Sequence, residues 1–212
     1  MAGHFESVDG GGAAIALDEV EISILRSLTV QLLELIGPGA ESAESSGTPE
    51  KLEGMDGLED VAWPFADGPS EPPADPALAR LFPDAYGPGP DDADAKPDEL
   101  EEARTASSEF RRYTENDLRA RKREDGLAVV RALDGLTPGD RGAVLTLTPD
   151  DSRQWLGALN DLRLAIGTRL DVSDEDGGEM YALPDSDPRK PMVMAYLWLG
   201  GLQETLVETL MD

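Results

Sequence analysis

The sequence predicts a mainly α, α+β protein: a helical domain on a small antiparallel sheet, interrupted by a disordered acidic insertion. Three observations predict this. Two segments, one near each end of the chain, run from a short apolar strand into a capped amphipathic helix. Residues 37–97 hold 11 of the 16 prolines, with 14 acids against 3 bases, a composition that cannot bury enough apolar surface to offset chain entropy. The last twenty residues are apolar around most of a helical circumference, as in a buried helix. The expected organisation is a hairpin and first helix over 1–36, the insertion over 37–74, and the helical remainder of the same domain over 75–212.

Residues 4–17 read as a hairpin, in which Phe5 and Val8 lead into Asp9-Gly10-Gly11-Gly12 and Ala14 to Leu17 return. Glycines before a helix can cradle a phosphate, but a strand separates these from the helix, so the turn reading is preferred. Asp18, with Glu21 three residues on, caps a helix carrying Leu25, Leu28, Leu32 and Ile36, and Gly37-Pro38-Gly39 stops it. Inside the insertion, Trp63 and Phe65 form an acidic-aromatic island. It reads either as a local contact onto the folded domain or as a peptide motif for a partner. Asp75 and Pro76 open a short helix with Leu78, Leu81 and Phe82 on one side. A helical region begins at Pro97, and a new helix start is expected at Thr114, followed by Asp117.

Residues 143–147 are a strand. Thr148 then caps a helix with Pro149 at its first position and Asp150 and Asp151 in its first turn. Trp155, Leu159, Leu162, Ile166 and Leu170 form one stripe, and Arg153, Asp161, Arg163 and Arg169 fall off it. Shifted by 130 residues, Ile15 falls on Leu145, Asp18 on Thr148 and Glu21 on Asp151, although any capped helix after a strand shares that pattern. The acids at 171–179 do not fit a calcium loop in any register and read as a polar turn. In the final helix, expected over 191–211, Ala195, Leu199, Leu202, Leu206 and Leu210 form a stripe that Tyr196, Leu197 and Trp198 widen. That helix is either central to the core or the interface of a homo-oligomer.

The formal net charge is −26, which repels nucleic acid and anionic membranes unless positive charge is locally concentrated. Such a concentration exists: 7 of the 18 basic residues are Arg104, Arg111, Arg112, Arg119, Arg121, Lys122 and Arg123. They read as a helical contact face for DNA or an acidic partner, or as internal counter-charge. With no cysteine and a single histidine, His4, thiol chemistry, a His triad and a His-rich metal site are excluded. No catalytic residue, metal site or cofactor is expected. No run is long enough to span a bilayer, and a cytoplasmic protein is expected.

The segments DPALARLFPDAY, EFRRYTENDLRARKRE and WLGALNDLRLAIGTRLDV resemble an actinobacterial family, long a domain of unknown function and now described as oxidative-stress transcriptional regulators. The most specific part is Trp155, Asn160, Arg163, Gly167 and Arg169. Family genes lie beside the gene for the Clp protease adaptor and near cysteine-synthesis genes. The resemblance implies a non-enzymatic regulator tied to oxidative stress or cysteine metabolism, acting on DNA, an RNA polymerase sigma factor or another partner. The alternative it implies is an interaction adaptor in the Clp proteolysis pathway. Oxidant sensing through a cysteine pair cannot be carried over, because this chain has none.

Overall fold

The computed structural model describes residues 3–38, 68–87, 96–139, 142–172 and 182–211. These fall into two compact units. The first draws on Met1–Ile36, Ala74–Leu81 and Arg121–Asp212, the second on Gly37–Pro73 and Phe82–Ala120.

In the first unit, β1 (Glu6–Val8), β2 (Gly12–Leu17) and β3 (Ala143–Leu147) form an antiparallel sheet in the order β1-β2-β3. The hairpin between β1 and β2 closes because Gly10 and Gly11 take φ of +96° and +78°, a region that side chains disfavour. Across the ladder, Ala13 and Ile15 face Leu147 and Leu145. Those four and Leu17 are buried, whereas Ala16, Val144 and Thr146 are exposed, so only one face of the sheet meets the core. Helix α1 (Glu19–Ile36) follows β2 directly. The Glu21 N–H donates to Asp18 Oδ1 at 2.8 Å and the Asp18 N–H to Glu21 Oε2 at 2.9 Å, the reciprocal cap its sequence predicts. Gly37, at φ +76°, ends the helix.

Helix α2 (Pro76–Leu81) is short and starts where expected, with Asp75 Oδ1 accepting the Ala77 and Leu78 N–H groups. Helix α3 (Pro97–Asp134) is one uninterrupted helix, which corrects the expected new start at Thr114. The Thr114 hydroxyl donates back to the Phe110 carbonyl at 2.8 Å instead of capping, and no proline or glycine lies between Pro97 and Gly126 to break the ladder. Only Arg121–Asp134 of this helix belongs to the first unit.

Helix α4 (Pro149–Arg169) repeats the logic of α1. Thr148 and Asp151 exchange backbone-to-side-chain hydrogen bonds of 3.1 and 3.2 Å. The two capped units are therefore neighbours in the sheet, with Ile15 opposite Leu145. Trp155, Leu159, Leu162 and Ile166 are buried, and Phe5 meets Trp155 edge-on at 6.2 Å. Helix α5 (Lys190–Met211) packs on α4 and buries Val193, Leu199, Leu202 and Leu206. Its first turns still expose Met192 and Met194. Among the described residues no helix is long and apolar enough to cross a membrane.

In the second unit, Tyr86 packs edge-on against Phe110 at 5.9 Å, and the Tyr86 carbonyl accepts the Ser107 hydroxyl at 2.6 Å. The Gly68 N–H donates to the Arg112 carbonyl at 2.8 Å, so the end of the predicted insertion at 68–74 makes at least one fixed contact. The expectations for 39–67, including the Trp63–Phe65 island, and for the acidic turn beyond Val172 lie outside the described residues.

Candidate functional site

Two places carry the chemistry that the sequence singled out, and a third emerges from the packing. The first is the basic stretch of α3. Arg111, Glu115, Arg119 and Lys122 recur at spacings of four, four and three, which puts them on one helical face. That face points inward. The Arg111 side chain is 4% exposed and that of Glu115 2%, and they meet at 2.6 Å. Arg111 also reaches Asp84 at 2.7 Å and the Phe82 carbonyl at 3.0 Å. Burial opposes the charge on Arg111. The hydrogen bonds to Asp84 and Glu115 outweigh it and hold the guanidinium above its ordinary range. Arg119 takes the other oxygen of Glu115 at 2.6 Å and lies 4.5 Å from the centroid of the Phe82 ring.

In the first unit, Lys122 pairs with Asp161 of α4 at 2.6 Å, and Arg123 donates to the Leu33 carbonyl at 3.2 Å. Asp161, which falls off the apolar stripe of its helix, is nonetheless only 2% exposed. The lysine supplies the charge that makes such burial tolerable. Burial pushes the Asp161 carboxyl above its usual range against the pull of Lys122. Burial likewise raises Asp125, with Arg121 pulling it down and Asp161 pushing it up.

Of the six predicted contact residues, only Arg112 and Arg121 are exposed. Arg111, Arg119, Lys122 and Arg123 are corrected from surface cations to internal partners. Their spacing, with Glu115 between two arginines, is the sequence signal that could have shown it.

The second place is the motif on α4. Trp155 is a core residue. Asn160, Arg163 and Gly167 form a polar seam with α5. Arg163 donates to Gln203 at 2.6 Å and lies 5.1 Å from the centroid of Tyr196, and Gln203 reaches Asn160 at 3.5 Å. Glycine at 167 lets the Tyr196 ring approach, since a Cβ there would stand 3.2 Å from it. Three of the five motif residues thus hold two helices in register.

The third place was not anticipated. Arg169 stands apart from that seam, on the wall of an apolar pocket of about 780 Å³ formed by α1, α4 and the start of α5. Leu28, Leu35, Ile166, Met192 and Trp198 contribute to its lining. Helix α1 bears two apolar stripes: Leu25, Leu32 and Ile36 enter the core, while Ile24, Leu28 and Leu35 face the pocket. Leu32 touches both. The spacing of Ile24, Leu28 and Leu35 was the available signal. Among the described residues no cluster of acids and histidine could hold a metal ion.

The family described as "Domain of unknown function (DUF2017)" matches residues 2–210. Proteins of Mycobacterium tuberculosis and Mycobacterium bovis named "Oxidative stress regulator AosR" are 32% identical over 207 residues, covering 97% of this chain and 85% of theirs. A Mycobacterium leprae relative is 33% identical over 192 residues, covering 90% of this chain and 79% of its own. No solved structure matches the chain.

Proposed function

The chain belongs to the DUF2017 family, and from that premise we propose that it is a non-enzymatic regulator of transcription linked to oxidative stress or cysteine metabolism. The observation that carries this reading is the near-complete alignment with mycobacterial proteins named oxidative stress regulators. The mode of action is contact with a protein partner, an RNA polymerase sigma factor first among the candidates, in preference to direct binding of DNA. Two facts support that preference. The chain carries a net charge of −26, and Arg111, Arg119, Lys122 and Arg123 of its basic stretch are engaged within the chain, with Arg112 also 5.6 Å from the centroid of the Tyr113 ring. A protein with few outward cations releases few counterions from a duplex and gains little affinity from them.

A gel shift on promoter fragments over a salt series, with and without sigma factor and core polymerase, tests this. A shift that requires the polymerase components supports partner contact. A shift by the protein alone that weakens steeply with salt and is lost in Arg112→Ala/Arg121→Ala replaces it with direct DNA binding. No effect on binding or on in vitro transcription under any condition removes the regulatory reading.

A further inference from the structure

The pocket beside α5 is matched to a ligand in volume and in charge. Its volume of about 780 Å³ lies within the range of small-molecule sites, roughly 300–1,000 Å³. Its walls are leucine, isoleucine, methionine and tryptophan, and the methionines Met192 and Met194 are adaptable side chains, 42% and 55% exposed.

One cation and one acid line it. The acid, Glu21, has an oxygen committed to the Asp18 N–H at the start of α1. The cation, Arg169, is exposed and has no hydrogen bond or ion pair among the described residues. In a chain with 44 acids against 18 bases, a guanidinium on the wall of an apolar hollow is complementary to an anion with an apolar body.

We propose that this pocket binds a small amphipathic anion, an aliphatic chain with a single carboxylate head, with the chain between α1 and α5 and the carboxylate on Arg169. Methylene burial supplies the affinity and the arginine fixes orientation. The assignment stands whether or not the protein regulates transcription.

Calorimetric titration of the full chain with saturated C8 to C14 carboxylates, each below its micelle concentration, tests it. Affinity should rise about three- to fourfold per added methylene until the pocket is filled. The alcohol of equal length should bind more weakly. Arg169→Gln should lower carboxylate affinity about three- to tenfold, to that of the alcohol, while leaving the alcohol unchanged. Ile24→Glu, at a position 40% exposed and so tolerant of a charge, should weaken every carboxylate. The proposal is overturned if binding does not saturate, or if carboxylate and alcohol bind alike to the unaltered protein. It is equally overturned if Arg169→Gln binds carboxylate as well as the parent does. Sedimentation provides the last arm: a dimer that Ile24→Glu dissociates, with no ligand uptake by either form, makes the pocket a contact between copies.

Discussion

Two arginines of α3, Arg111 and Arg119, and two of α4, Arg163 and Arg169, have opposite fates. On α3, Arg111 and Arg119 grip the two oxygens of one buried carboxylate, Glu115, and the next cation on that face, Lys122, reaches Asp161. On α4, Arg163 lies against Tyr196 and donates to the neutral Gln203, and Arg169 meets no partner among the described residues. The denser cluster is thus the less available one. A run of basic residues becomes a surface only if its helical face is turned to water, and here the acids spaced between the cations turn it inward.

The sharpest way to break this contrast is at Arg111. Arg111→Ala leaves Glu115 buried with half its counter-charge and should destabilise the fold by about 3–5 kcal/mol, read by urea unfolding. Arg163→Ala loses a ring contact and a hydrogen bond but strands no charge, so about 1–2 kcal/mol is expected in the same assay. Thr148→Ala, which removes the cap of α4, should cost about 1 kcal/mol. Arg104→Ala removes an exposed ion pair with Glu101, 3.8 Å apart, and should change stability by less than about 0.5 kcal/mol. A loss at Arg104 as large as that at Arg111 would erase the distinction between inward and outward cations.

Acidity sharpens the comparison further. Asp125 and Asp161 have carboxyls raised above their unfolded values, mainly by burial. Between the unfolded and folded values the native state holds more protons than the unfolded chain, so stability falls as pH rises through that window. It should therefore increase as the solution is acidified from neutrality toward the upper edge of the carboxylate range. Relief of repulsion among the excess acids acts in the same direction. Asp125→Asn should flatten the slope in thermal melts at a series of pH values. An unchanged slope would leave the effect to Asp161 and the net charge.

Much of this molecule could be read from local chemistry. The caps at Asp18 and Thr148, the glycine turn at Gly10 and Gly11, and the stripe from Trp155 to Ile166 each depend on residues within a few positions, and each forms as its sequence predicts. The strands were legible as short apolar runs beside a glycine turn and helix caps, and in the sheet Ala13, Ile15 and Leu17 are buried while Ala14 is half-buried and Ala16 exposed. The continuity of α3 was less so, since Thr114 can either cap a helix or bond back to the Phe110 carbonyl, and sequence alone does not choose.

What the chain's order of residues determined is therefore where helices and strands begin, end and turn their apolar sides, because capping, periodicity and turn conformation act over one or two helical turns. What only the tertiary structure decided is the fate of the charges and the second apolar stripe of α1. Whether Lys122 faces water or Asp161, 39 residues away, depends on which helices come together. So does the pocket, whose walls come from segments more than a hundred residues apart. Electrostatic pairing and cavity shape follow from packing, and packing has no local signature in the sequence.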